Sequence, residues 1–293
     1  MNEKQIKLGF IGAGRVGTAL ATTLATRGYR ITAVASRSHT SAARLAGMIN
    51  GCHICTTLQQ VAENADVIFI TTPDDSIATV AASIAWQPHH WVIHCSGTHS
   101  LAVLAAAREK GAMVGSLHPL QSFADVAQAQ ANLPGSFFAI EAEGILLAFL
   151  KAIVSTLNGT SIVLQGRDKV LYHIAAVFAC NYVVTLIKLA VDLWQSFAEP
   201  VEPTQAMAAL TPLLNGMINN INTLGLPHAL TGPISRGDKE TISKHLRALE
   251  EHAPTLVELY KELGRQTIPI ALAKGKLDNI TAMKLYDLLA NKE

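Results

Sequence analysis

Charge is scarce in this chain: Asp, Glu, Lys and Arg make up 15% of its 293 residues, against 49% hydrophobic residues. That balance excludes a disordered polymer and supplies material for a large core, with some left for a subunit contact. Neither sign is in excess. Twenty-three Lys and Arg face 22 Asp and Glu, a formal net charge of +1, which argues against the electropositive footprint of a nucleic-acid binder and leaves a small molecule as the expected partner. The four cysteines, Cys52, Cys55, Cys95 and Cys180, are too sparse for a disulfide framework. The first residues lack the charged start and long apolar run of a signal peptide, so a cytoplasmic protein is expected. Long hydrophobic runs are missing too. The most apolar stretch, Ile174 to Ile187, has 14 residues before Lys188, short of the roughly 20 a membrane helix needs; it is expected to be a buried helix, with no membrane partner. No internal repeat or low-complexity linker stands out, and at roughly 150 residues per domain the length suggests two domains.

Short apolar runs bounded by turn residues recur at Ile6 to Ile11, Ile31 to Ala35, Val67 to Thr71, Trp91 to His94, Met113 to Ser116, Phe137 to Ile140 and Ser161 to Leu164. Segments of helical length and composition separate most of them, which predicts an α/β domain with a doubly wound parallel sheet of Rossmann type. After about Gln165 the pattern changes to long Ala- and Leu-rich segments, Lys169 to Phe197, Pro203 to Thr223, Lys239 to Glu251 and Thr255 to Thr267. The expected domains are therefore 1–165, nucleotide-binding, and 166–293, all-helical.

Between the first strand and the first helix the chain reads Gly12, Ala13, Gly14, Arg15, Val16, Gly17. In this GxGxxG turn, Gly12 permits the sharp bend, Gly14 lets the backbone approach a pyrophosphate, and Gly17 lets helix and strand pack closely. At the end of the second strand, where an acidic residue would meet the ribose of NAD, stand Ser36, Arg37 and Ser38. With no carboxylate to repel a 2′-phosphate and an arginine to pair with it, NADP is the expected cofactor. Thr71, Thr72 and Pro73 end a later strand and should line the nicotinamide side, while Ser96 and His118 bring polar groups to the same edge.

Taken together, Gly12–Gly17, TTPDDSI from Thr71, HCSG from His94, HPLQSF from His118, the run Lys169 to Asn181 and TGPISRGD from Thr231 resemble a family of Rossmann-like oxidoreductases known as domain of unknown function 2520. That family looks like a branch of the 6-phosphogluconate dehydrogenase-like superfamily, alongside β-hydroxyacid dehydrogenases, ketopantoate reductases and pyrroline-carboxylate reductases. The resemblance implies an NADP-binding Rossmann domain, a helical domain that commonly makes a homodimer, and an active site between them. By likeness to the β-hydroxyacid dehydrogenases, Gly166 leads into a helix carrying Lys169 as catalytic lysine, but His173 stands one turn on where those relatives have asparagine, and Asn181 lies further along.

Reduction of a carbonyl needs a proton donor and a group that steadies the developing oxyanion. Lys169 or His173 is the expected acid/base, with Ser96, His118 and Asn181 holding the substrate and Arg236 clamping a substrate carboxylate beside Asp238. Set against this, Arg236 and Asp238 could form a salt bridge or helix cap, His118 before Pro119 could be structural, and Arg37 could be an ordinary exposed arginine. The Cys52–Cys55 pair has no partner pair, and His89, His90, His94 and His99 lack consistent spacing, so no metal is expected. The resulting expectation is an NADP-dependent enzyme acting on a small carboxylate-bearing carbonyl or hydroxy compound, ketopantoate-like or an imine. The alternative is a non-catalytic NADP-binding sensor.

Overall fold

The computed structural model describes residues 3–197 and 199–290. One eight-stranded sheet is built from β1 (Lys7–Ile11), β2 (Arg30–Ala35), β3 (His53–Ile54), β4 (Val67–Ile70), β5 (Trp91–His94), β6 (Met113–Leu120), β7 (Phe137–Glu141) and β8 (Thr160–Val163). Its order is β3-β2-β1-β4-β5-β6-β7-β8. The order reverses direction between β1 and β4, which makes the crevice beyond their carboxyl ends the expected ligand position in a doubly wound sheet.

The helices of this part are α1 (Arg15–Thr26), α2 (His39–Gly47), α3 (Leu58–Asn64), α4 (Ile77–Ala82), α5 (Ala105–Glu109), α6 (Val126–Asn132) and α7 (Gly144–Thr156). Both sheet faces are buried. Leu8, Phe10, Val34, Phe69 and Ile93 pack with α1 on one side, and Ile11, Ile68, Ile70 and Val92 with the opposite layer on the other. The central strands β1, β2, β4 and β5 are therefore nearly continuous apolar runs, as a sheet covered on both faces requires.

Two features depart from a purely parallel sheet. β7 pairs with β6 antiparallel, Leu120 facing Phe137 and Ser116 facing Glu141. The intervening α6, only seven residues long, spans about 10 Å and cannot carry the chain back along the eight-residue β6, which would cover roughly 26 Å. The chain re-enters the sheet where it left, with Gln121 Nε2 donating to Ser136 Oγ at 3.2 Å. The second departure is β3, a two-residue strand too short to show as an apolar run.

The remainder is helical: α8 (Lys169–Ala176), α9 (Tyr182–Gln195), α10 (Pro203–Leu224), α11 (Leu226–Ala229), α12 (Pro233–Arg236), α13 (Lys239–His252), α14 (Val257–Ala273) and α15 (Asn279–Leu288). The change of secondary structure falls after Val163, but the chain divides by packing after Tyr182, so α8 is compacted with the sheet. The second unit has its own core of Ile234, Ile242, Ile268, Leu285 and Leu289.

The expected buried helix is not buried. Residues 166–195 form a helical run of 30 residues, long and apolar enough by length and composition to cross a membrane, with a mean hydropathy of 2.0 in its most apolar window. None of that window is buried within the chain. Leu171, Phe178 and Val184 are 70%, 64% and 64% exposed. Composition reports that a surface must be covered and not by what, which is why the apolar pattern alone misassigned its cover. A membrane-spanning reading conflicts with the start of this run, because Lys169 and Tyr172 of α8 bond into the sheet.

Candidate active site

The three turn glycines divide by what a side chain would meet. At Gly12, with φ of +106°, a Cβ would lie 2.7 Å from the Thr71 carbonyl carbon; at Gly17 it would lie 2.4 Å from Thr71 Oγ1 and 2.5 Å from the Gly12 oxygen. Both are required by the fold, since Thr71 Oγ1 donates to the Gly12 carbonyl at 2.7 Å and ties the β1 turn to the β4 loop. At Gly14 a Cβ would meet nothing within 4 Å. The protein itself gives no reason for glycine there, so open space at Gly14 fits a ligand's close approach.

That turn opens on a cavity of about 660 Å³ lined by Ile11, Gly12, Ala13 and Gly14, by Ala35, Ser36, Arg37, Ser38 and Ser41, and by Cys55–Leu58, Thr71–Pro73, Ser76 and Val80. Thr72 Oγ1 is buried without a hydrogen-bond partner. A buried unpaired hydroxyl is costly and marks a group held for a ligand. The residues thus fit a dinucleotide: glycine backbone for pyrophosphate, exposed Arg37 with half-buried Ser36 for a ribose phosphate, and Thr72 and Pro73 for the nicotinamide end. Ser38 serves partly elsewhere, its oxygen accepting from Ser41 N at 3.2 Å as the N-cap of α2. Arg15 and Val16 of the expected set do not line the cavity, because α1 carries them past its mouth. Ser41, Cys55 and Thr56 do line it and were missed. They lie on α2 and on the loop after β3, the strand too short to read. A slightly larger cavity, about 680 Å³, opens at the amino end of β2 beside Thr26, Arg30 and Asn50, away from the glycine turn.

A second constellation lies at the carboxyl ends of β5 and β7 and the middle of β6, where α8 meets the sheet. Lys169 is 1% exposed; its Nζ donates to Ser116 Oγ at 2.6 Å and lies 3.8 Å from Glu141 Oε2. Lys169, an expected acid/base candidate, is thus enclosed here and bonded to the sheet. Gly166 makes the approach possible, since a Cβ there would lie 2.6 Å from Ser100 Cβ and 2.8 Å from Glu141 Oε1. Burial lowers the Lys169 pKa to about 8 despite Glu141.

The histidines above it are held neutral. His94 is fully buried; Ser96 N donates to its Nδ1 at 3.2 Å, and its Nε2, drawn weakly by the Ser100 carbonyl, lacks a hydrogen bond of normal geometry. Burial first and the Lys169 ammonium second push its pKa down to about 3. His118 is pushed down to about 4, by burial, then His173, then Lys169. His118 Nδ1 lies 2.9 Å from the Tyr172 hydroxyl, with the rings edge-to-face, and the His173 ring centroid is 6.2 Å away. Burial raises the Tyr172 pKa to about 12. The bond to Tyr172 gives His118 a place in the cluster that the sequence left undecided. Tyr172 itself was passed over, although three residues beyond Lys169 it had to share that helix face.

Ser96 turns inward. It is 3% exposed and donates to Asp74 Oδ2 at 2.6 Å while accepting from Thr98 N and His99 N. Its hydroxyl builds the loop after β5 instead of facing cofactor or substrate. Asn181 ends a π-helical turn, Val177–Asn181, between α8 and α9. In a regular helix it would sit about 80° round from His173; a π turn takes in about one extra residue, which brings it to within about 20° of the same direction. Asp238 is an N-cap, accepting from Thr241 N at 3.0 Å and Thr241 Oγ1 at 2.7 Å, bonds that lower its pKa. The capping alternative thus describes Asp238, and Arg236 beside it is exposed in the second unit. His90 is also internal, its Nδ1 accepting from Gln87 N at 3.0 Å.

Residues 1–119 match a Rossmann-like domain and residues 136–267 match the family described as a domain of unknown function (DUF2520). No curated protein matches the sequence significantly. Among solved structures it is similar to a Bacteroides fragilis protein provisionally described as an NADP oxidoreductase, 28% identical over 92% of this chain and 100% of that one, with a TM-score of 0.75. A Thermotoga maritima protein is 27% identical over 92% and 99%, TM-score 0.71. A reductive aminase from Aspergillus terreus, solved with NADPH and ethyl-5-oxohexanoate, matches at 16% identity over 97% and 92%, TM-score 0.62; that likeness speaks for the fold alone.

The depressed histidine pKa values make stability depend on pH in a defined direction. His94 and His118 bind protons in the unfolded chain below about pH 6.5 but in the folded chain only near 3 and 4. Stability present above pH 6.5 is therefore lost as pH falls, by on the order of 2 kcal/mol per group at pH 5. Urea midpoints should drop between pH 7 and 5 and drop less in His94→Gln; a flat wild-type profile over that interval contradicts the assignment.

Proposed function

We propose that this chain is an NADP-dependent oxidoreductase acting on a small molecule. The observation that carries the reading is the contrast among the turn glycines: Gly12 and Gly17 are fixed by the fold, whereas Gly14 meets no protein atom and opens on the cavity, where bare backbone suits a pyrophosphate. The cavity it opens on holds Arg37 and Ser36 and no Asp or Glu side chain, which favours a 2′-phosphate. The similar Bacteroides fragilis protein, provisionally described as an NADP oxidoreductase, supports the same cofactor.

When bound, the reduced nicotinamide supplies a hydride. As the carbonyl carbon gains that hydride, the C=O electron pair moves to oxygen, and the oxygen takes a proton from the protein. His118 is the donor in this reading. With the Tyr172 hydroxyl donating to Nδ1, Nε2 carries the proton, and Tyr172 can replenish it through Nδ1. A neutral imidazole cannot give up Nε2–H unless another proton arrives, so the transfer is a relay: Nε2 passes its proton to the substrate oxygen as Nδ1 takes one from Tyr172, whose hydroxyl then regains a proton from solvent. Lys169 acts from beneath, holding α8 to β6 and adding positive potential without contact. The polar cluster of His118, Tyr172 and His173 favours catalysis over a sensing role, which would need the nucleotide cavity alone.

The substrate is read as a carboxylate-bearing carbonyl or hydroxy compound, ketopantoate-like. Imine reduction is the second reading, favoured by exposed Asp74, whose carboxylate is held by Ser96 and Thr98 and suits a cationic nitrogen better than a carboxylate. We place the protein in the cytoplasm, where its four unpaired cysteines would remain reduced.

NADPH titrated against the purified protein and followed by cofactor fluorescence should bind. Gly14→Asp should abolish that binding with its melting temperature nearly unchanged, and Arg37→Ala should weaken NADPH about ten-fold but not NADH. Retained binding in Gly14→Asp would sink the cofactor assignment.

The exposed helical run 166–195 supports a homodimer, a second copy covering Leu171, Phe178 and Val184. Light scattering should give twice the chain mass, and Phe178→Asp with Val184→Asp should shift it to monomer. A wild-type monomer at micromolar concentration excludes the dimer.

A further inference from the structure

The loop after β5 meets two imidazoles at one position where a side chain finds no room. We propose that Gly97 is a positioning residue for the reaction: the bare backbone at this position lets the loop close on His118 and His173 and sets where the donor nitrogen of His118 stands. This rests on the reading of His118 as proton donor.

A Cβ at position 97 would lie 2.7 Å from His173 Cδ2, 2.8 Å from His118 Nε2 and 3.0 Å from His118 Cε1. Carbon atoms in good contact stand about 3.5–4.0 Å apart, so a methyl group cannot be accommodated unless something moves. The backbone of Gly97 is not left-handed, so alanine could adopt its conformation and the requirement is purely one of space.

The loop is the part least able to retreat. Ser96 on one side donates to Asp74 at 2.6 Å and Thr98 on the other at 3.1 Å, while Thr98 N and His99 N both donate to Ser96 Oγ and Ser96 N donates to His94 Nδ1. The rings must give instead. For His118 that means leaving the 2.9 Å contact with Tyr172, through which its proton would be replenished. Other glycines lack this coupling: at Gly47 a Cβ meets nothing, and at Gly115 it meets Leu146 Cδ2 at 3.0 Å, the end of a flexible side chain.

The test compares Gly97→Ala with Gly47→Ala as control. Histidine ring protons are followed by NMR across pH in the cofactor-free protein, and NADPH affinity and turnover are measured separately. The expected result for Gly97→Ala is an unchanged NADPH Kd within two-fold and a kcat at least ten-fold lower. The His118 midpoint should rise by one unit or more from its native position near 4 as the ring leaves its dry seat. If Gly97→Ala does not fold, Gly97→Ala combined with His173→Ala is compared with His173→Ala alone, which by itself lifts the midpoint by removing a neighbouring imidazole; the double variant keeps the overlap with His118, so its midpoint should rise further. A His118 midpoint unmoved from its reference in whichever variant folds overturns the proposal, as does native kcat in Gly97→Ala. Failure of the native protein to bind NADPH would overturn the functional reading and leave the NMR result standing on its own.

Discussion

One ammonium group, buried where α8 meets the sheet, organises the proposed site. Lys169 reaches Ser116 on β6 and stands near Glu141 on β7, so it fastens the helix to the antiparallel end of the sheet. Enclosing an ammonium is costly, and the carboxylate nearby offsets only part of that cost. The remaining positive potential falls on the histidines next to it, where with burial it keeps His94 and His118 uncharged. For His118 burial comes first and the neighbouring His173 second, so the anchoring lysine adds to a protonation state that the enclosure of the site already sets.

Close backbone approach is the second constraint. Gly12 and Gly17 draw the β1 turn against Thr71, Gly166 brings the start of α8 against Glu141, and Gly97 lets the β5 loop meet two imidazoles. At each of these a methyl group would push apart elements whose contact defines the site. Gly14, the other glycine of the β1 turn, instead faces open space, and it lies at the cavity proposed for the dinucleotide.

Much of this was legible in the sequence because it follows from local pattern. Seven apolar runs became strands, and the order of glycines placed the cavity at the switch point between β1 and β4. The site residues were harder, because their roles depend on which way a side chain turns. Ser96 just beyond β5 and His118 within β6 read alike as polar residues after apolar runs, yet Ser96 folds back to hold its own loop while His118 meets Tyr172. Lys169 and Tyr172 share a helix face, but only the depth of the helix against β6 decides that the lysine is buried and the tyrosine meets a partner. The π turn before Asn181 has no signature in residue types and changes its direction by about 100°. The burial expected for Ile174 to Ile187 failed for a related reason: hydrophobicity states that a face needs cover and is silent on what provides it.

The central claim is that the glycine-lined cavity and the His118–Tyr172 cluster are two halves of one active site. A crystal structure of the protein with NADPH bound tests it most directly. The account predicts the pyrophosphate against Gly14, the 2′-phosphate at Arg37, and the nicotinamide past Thr72 and Pro73 with its reactive face toward His118. A dinucleotide bound elsewhere, or a nicotinamide turned away from His118, would contradict it.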